Sequence, residues 1–223
     1  MKKHFPAITI LFVWIISASA FASAQNAPPF EKNKREADLV ELTTLDKTVK
    51  LDIRYARTDN FVNRIVYSEP RAFLQKLAAR ALLRVHKKLK KQNLGIVVFD
   101  GYRPWSVTKF FWEVTPEEKR KFVANPKTGS KHNRGCAVDL SMFDLRTGEL
   151  VEMPTDFDDF TEKASPDYAG ANPEAKKNRD LLRALMETEG FAVNANEWWH
   201  FDYKDWEKYA IYDIDFSEIK TDE

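Results

Sequence analysis

Apolar and polar residues alternate through "VKLDIRYART" (49–58), with Val49, Leu51, Ile53 and Tyr55 on one side. This period of two predicts a strand. Between Pro70 and Gln92 the apolar residues instead recur at helical spacing. Pro70 suits a first-turn position there, and Asn93 with Gly95 marks the stop. "GIVVFDGYRP" (95–104) reads as a buried strand, Ile96 to Phe99, running into a turn. "TPEEKRKFVAN" (115–125) reads as a short helix capped by Thr115, with acids in its first turn. "CAVDLSM" (136–142) is a second short strand, preceded by the loop from Gly129 to Gly135. Residues 154–173 hold turn formers without a sustained period, a long loop of the kind used as a lid or binding loop. "PEAKKNRDLLRALMETEG" (173–190) is an amphipathic helix ending at Gly190, and "WWHFDY" (198–203) a final strand. Strands and helices mix without regular βαβ alternation. The pattern therefore predicts an α+β fold in one compact domain, without repeats or an internal linker.

The first 24 residues obey a different logic. Lys2 and Lys3 precede an apolar run from Phe5 to Ile16, and small residues follow, ending in Ala22-Ser23-Ala24. This is the pattern of a secretory signal peptide, and it makes residues 25–223 the mature domain. Stable membrane insertion after cleavage is not expected. The whole chain carries 35 Lys+Arg and 34 Asp+Glu, and the leader holds two of those lysines and no acid. The mature chain is thus near neutrality, which gives no general attraction to nucleic acid or anionic membrane. "HKKLKK" (86–91) reads as the solvated face and end of a helix. One cysteine, Cys136, allows no intrachain disulfide. An exported domain of this kind, periplasmic or secreted, must be held by its core and by a metal where it has one.

Three histidines remain after processing. His86 sits among lysines without a nearby acid in sequence and reads as structural or surface. His132 and His200 differ, because each has a carboxylate at short spacing. His132 precedes Asp139 in "SKHNRGCAVD", with Gly135 between them to let the chain turn. His200 follows Glu197 by three residues in "NEWWHFD". Two imidazoles and one carboxylate make a catalytic zinc set with a position open for water. The remaining acid would be the general base that hydrolysis needs. Spacing alone does not decide which carboxylate is ligand and which is base.

These segments resemble the zinc D-alanyl-D-alanine dipeptidases, the group that includes the vancomycin-resistance dipeptidases. "SKHNRGCAVD" fits their S-x-H-x-x-G-x-A-x-D signature, "EWWH" a second and "DGYRP" a third. Agreement extends to "DIRYARTDNF" (52–61), "DLRTGELVEM" (144–153) and Phe157-Asp158, and so runs through nearly the whole mature chain. Related carboxypeptidases and the hedgehog-type fold share the two zinc signatures in looser form. The resemblance implies a small central, mainly antiparallel sheet with flanking helices. It implies one zinc per chain, bound by His132, Asp139 and His200, with Glu197 as the base. It further implies that Arg103 reaches the scissile carbonyl oxygen and Ser130 helps hold the substrate near the metal. Tyr55 and Asp158 would receive the substrate's free ammonium. Cys136 then reads as packing, and Trp198 and Trp199 as packing around the site. The stretch between "GYRP" and the zinc signature is shorter than in the resistance enzymes, which bears on one wall of the cavity.

The expected activity is hydrolysis of the dipeptide D-Ala-D-Ala to two D-alanines in peptidoglycan turnover. Two rivals use the same residues differently. One is a zinc D,D- or L,D-carboxypeptidase or endopeptidase on longer wall peptides. The other is a catalytically silent wall-binding module, which would need neither Glu197 nor Arg103.

Overall fold

The computed structural model describes residues 26–220. The leader assigned to residues 1–24 lies outside them. Five strands form the central sheet in the order β2-β4-β5-β7-β6: β2 (Lys50–Leu51), β4 (Leu94–Asp100), β5 (Ala137–Asp144), β6 (Phe191–Asn194) and β7 (Glu197–Tyr203). Only β2 runs parallel to its neighbour, β4; the other pairs are antiparallel. A two-stranded antiparallel ribbon joins β1 (Leu39–Glu41) to β3 (Phe73–Gln75). The helices are α1 (Leu42–Leu45), α2 (Lys76–Lys90), α3 (Trp105–Val114) and α4 (Pro173–Thr188). The α+β architecture expected from the pattern is the one observed. No helix among the described residues is long and apolar enough to cross a membrane.

Helix α2 buries Ala78, Leu82, Val85 and Leu89 along one stripe at i, i+4, i+7 and i+11, and it packs beside β4. Each Leu or Val in that stripe is worth about 1.5–3 kcal/mol relative to exposure. Lysines 87, 88 and 90 occupy its last turn, where the helix dipole favours positive charge. Asn93 then takes φ 58°, a left-handed residue that ends the element. Asn172 caps α4 by accepting from the Ala175 N–H at 2.8 Å, and Pro173 fills the first position. β5 is buried almost throughout, so both its faces are covered.

Four expectations need correction. The predicted strand 49–58 is only Lys50–Leu51; Arg54–Ala56 forms a 3-10 turn that carries Tyr55. The Tyr55 carbonyl accepts from the N–H groups of both Val66 and Tyr67, so its backbone pairs with a loop and not with a strand. Pro70 does not open α2. Residues 73–75 are extended, because Phe73 O accepts from Tyr102 N–H and Gln75 N–H donates to Gly135 O. Thr115 closes the preceding helix instead of opening the next, its hydroxyl donating to Phe111 O at 2.6 Å. Residues 117–122 are a 3-10 turn, and 154–173 hold only the short turn Glu162–Ala164, as a long loop should.

Candidate active site

Sheet register assembles the centre. Asp100 lies opposite Asp139 across β4 and β5, and Asp139 lies opposite His200 across β5 and β7. Three chemical side chains thus stand in one row over three neighbouring strands. His132 joins them from the 3-10 turn His132–Arg134, which ends at Gly135 with φ 66°. A Cβ on Gly135 would also meet Leu39 Cδ2 at 2.5 Å, so both backbone and space require glycine.

The imidazoles are oriented from behind. His132 Nδ1 is 2.7 Å from Gly101 O, and His200 Nε2 is 2.9 Å from Asp202 Oδ1. Each of those nitrogens therefore carries the proton, which leaves a lone pair on His132 Nε2 and on His200 Nδ1. These two lone pairs face each other at 3.1 Å, and Asp139 Oδ1 lies 3.3 and 3.0 Å from them. Three acceptors cannot bond one another. Asp139 Oδ1 is buried and lacks a hydrogen-bond partner among the described residues. Tetrahedral zinc bonds of about 2.0–2.1 Å would space ligands at about 3.3 Å, close to this triangle. The donor set fits zinc.

Around this triangle stand the other residues singled out from the sequence. Glu197, the first residue of β7, is held by Asn194 Nδ2 at 3.1 Å and lies 3.7 Å from His200 Nδ1. Burial pushes its carboxyl up to about 6, in the range of a group that takes and returns a proton. Arg103 is buried, and its Nε and Nη2 donate to Asp100 Oδ2 at 2.9 and 2.7 Å. Burial works against its charge, but the Asp100 carboxylate beside it holds the guanidinium protonated. The turn-stabilising pair and the position at the site thus belong to one side chain. Tyr55 OH donates to Asp158 at 3.0 Å, joining two residues 103 positions apart in sequence. Asp158 has φ 61°, and burial, then Asp139 nearby, pushes its carboxyl well above the usual range. Ser130 Oγ accepts from the His132 N–H at 3.2 Å at the entrance of the histidine turn.

All eight of these residues line one cavity of about 410 Å³. Asp139, Asp158 and Glu197 line it around the triangle beside Arg103, a cluster of acids whose repulsion a divalent metal and an ammonium would relieve. Cys136 is buried, which pushes its thiol up to about 12, so it packs and does not attack. His86 is fully buried in α2, a structural histidine. Trp198 and Trp199 are buried as packing, although Trp199 also reaches the cavity wall.

Sequence reasoning did not find Asp202, although "HFD" on a strand puts it on the face of His200 two residues earlier. Lys131 pairs with Asp202 at 2.6 Å, holding it in place. Gly101 O was not findable, because a carbonyl leaves no trace in residue type. The two turns are laced further by Arg103 N–H to His132 O at 3.1 Å and Asn133 Nδ2 to Arg103 O at 2.9 Å.

The family described as D-ala-D-ala dipeptidase matches residues 35–222. The D-alanyl-D-alanine dipeptidase of Escherichia coli (strain K12) is 31% identical over 180 residues, 81% of this chain and 92% of that protein. The enzyme of the same name from Enterococcus faecalis is 33% identical over 171 residues, 69% of this chain and 85% of that one. Among solved structures, the vancomycin-resistance D,D-dipeptidase VanXYg in complex with a D-Ala-D-Ala phosphinate analogue matches with TM-score 0.45 and 21% identity. It does so over 81% of this chain and 60% of that one. A match spanning nearly all the described residues, at such identity to full-length relatives, makes this chain a member of the M15 peptidases, in the D-Ala-D-Ala dipeptidase family.

Proposed function

We propose that the protein is a zinc metallopeptidase that hydrolyses D-alanyl-D-alanine to two D-alanines. The observation that carries this reading is the Tyr55–Asp158 pair in the same cavity as the His132, Asp139 and His200 triangle. A half-buried carboxylate in the same cavity as a metal position suits a substrate whose far end is an ammonium. In this reading His132 Nε2, His200 Nδ1 and an Asp139 oxygen hold the zinc. When bound, zinc acts as a Lewis acid that lowers the pKa of water toward about 7 and polarises a carbonyl. Glu197 accepts the proton of the attacking water and later delivers it to the leaving amine. Arg103, held charged by Asp100, receives the oxyanion that develops on the scissile carbonyl. Asp158 and Tyr55 receive the ammonium, and Ser130 helps to hold the dipeptide near the metal.

The biological setting belongs to the same proposal. The signal-like residues 1–24 support export to the periplasm, where dipeptides released from peptidoglycan would be the substrate. The test compares zinc-loaded mature protein on D-Ala-D-Ala and on N-acetyl-D-Ala-D-Ala. Preference for the free dipeptide is expected. Equal cleavage of both would hand the site to a carboxypeptidase, and cleavage of neither would favour the silent wall-binding module. Asp158→Ala should lower kcat/KM for the free dipeptide with zinc content unchanged, because a substrate ammonium then loses its buried partner.

A further inference from the structure

A row of rings leads away from Tyr55 along the lining of the cavity. Tyr55 lies 6.2 Å from Phe61, Phe61 lies 5.2 Å from Phe160, and Phe160 stacks on Phe122 at 5.1 Å with planes 4° apart. Each of these rings lines the cavity. The last two come from separate loops. Phe122 ends the 3-10 turn Glu117–Phe122, and Phe160 follows Asp158 by two residues in the long loop. Among the described residues no hydrogen bond or ion pair joins these two loops, and the ring stack bridges them. Both rings are half-buried, stacked on each other and lining the cavity.

We infer that the Phe122–Phe160 stack is the stop that limits substrate length at the amino end, making these two rings specificity-determining residues. The inference rests on the dipeptidase reading above. A substrate whose ammonium meets Asp158 points its amino end at this wall. An acyl group on that nitrogen would extend toward the two stacked rings, which leave it the space they occupy only if they move. Apolar rings add a second penalty, because a peptide carbonyl entering there would find no hydrogen-bond donor on them. Charge at Asp158 and closure by the stack are thus separate selections. Loss of the first weakens the free dipeptide; loss of the second admits the longer one.

The experiment measures kcat/KM for D-Ala-D-Ala and N-acetyl-D-Ala-D-Ala in zinc-loaded wild type, Phe122→Ala, Phe160→Ala and Phe160→Tyr. Both alanine variants should raise the acetylated-to-free ratio at least tenfold, through a gain on the acetylated substrate. Phe160→Tyr keeps the ring and should stay at the wild-type ratio. Calorimetric binding of N-acetyl-D-Ala-D-Ala to zinc-loaded Glu197→Ala protein gives an arm independent of turnover. Adding Phe160→Ala should tighten that binding at least tenfold. Unchanged ratio and unchanged affinity in both alanine variants would overturn the inference, as would a Phe160→Tyr protein that behaves like Phe160→Ala. Because the two rings sit on different loops, misfolding of one variant leaves the other to decide. Wild-type protein inactive on D-Ala-D-Ala would instead sink the dipeptidase reading, and this inference with it.

Discussion

In the proposed mechanism Glu197 and Arg103 divide the work between proton transfer and charge, and neither supplies an atom of the triangle of His132 Nε2, His200 Nδ1 and Asp139 Oδ1. Their removal should therefore separate chemistry from metal binding. Glu197→Ala should retain zinc and lose about 10²–10⁴-fold in kcat. Arg103→Ala should lose on the order of 10²–10³-fold, the range of one oxyanion donor. Single-turnover kinetics with metal analysis would check both, and near-normal turnover in a zinc-loaded Glu197→Ala protein ends the mechanism. At this scale the sequence was informative where chemistry is rare. Two of three histidines stood beside carboxylates, and their pairing survives in the structure. Spacing left open which acid is ligand and which base; the family resemblance implied Asp139 and Glu197 in those roles, and the geometry is consistent with it, with Asp139 in the triangle and Glu197 3.7 Å from His200 Nδ1. Asp202 and Gly101 O stayed hidden because one is a common surface residue type and the other is backbone.

The elements were legible where hydrophobic period and length agreed, as in α4, β5 and β7. They were not where tertiary hydrogen bonds outvoted local pattern. Residues 70–75 carry helical spacing, yet their carbonyl and amide groups are claimed by Tyr102 and Gly135. The alternation at 49–58 is real, but Tyr55 turns inward on a 3-10 turn to reach Asp158. A buried polar link between elements also yields a pH prediction. His86 of α2 accepts the Ile96 N–H of β4 on Nδ1 at 3.1 Å and meets Thr48 Oγ1 at 2.9 Å. Protonating Nδ1 would set two N–H groups against each other. Burial, then the Lys90 charge, holds this imidazole below its ordinary value, against the pull of Asp46. The folded pKa is thus depressed, so the unfolded chain binds the extra proton first. The link's stability is full above about pH 6.5 and is lost as pH falls toward the folded value. Melting temperature should fall more between pH 7 and pH 5 in wild type than in His86→Gln. An equal fall in both proteins would remove His86 from the acid response.

Across the whole molecule, the metal position adds one more link among parts that the sheet and the turn hydrogen bonds already join. Its proposed ligands come from the turn before β5, from β5 and from β7, and His132 is oriented by the carbonyl just after β4. A single cysteine allows no disulfide to do the same work. The buried cavity also concentrates Asp139, Asp158 and Glu197, whose mutual repulsion a divalent cation offsets. Zinc should therefore stabilise the folded state as well as serve the reaction. A ligand that binds only the folded form, present at a hundred times its Kd, contributes about 2.7 kcal/mol. In a domain of this size each kcal/mol moves Tm by about 2–4 °C, so stripping zinc should lower Tm by roughly 5–10 °C. Returning zinc to the stripped protein should restore it. His132→Ala should melt near the stripped wild type and show little response to chelator or added zinc, since one corner of the triangle is gone. Elemental analysis must accompany the melts, because only metal-free protein counts. A verified metal-free wild type that melts with the loaded one would mean that the fold holds the three acceptors together without help, and that zinc serves chemistry alone.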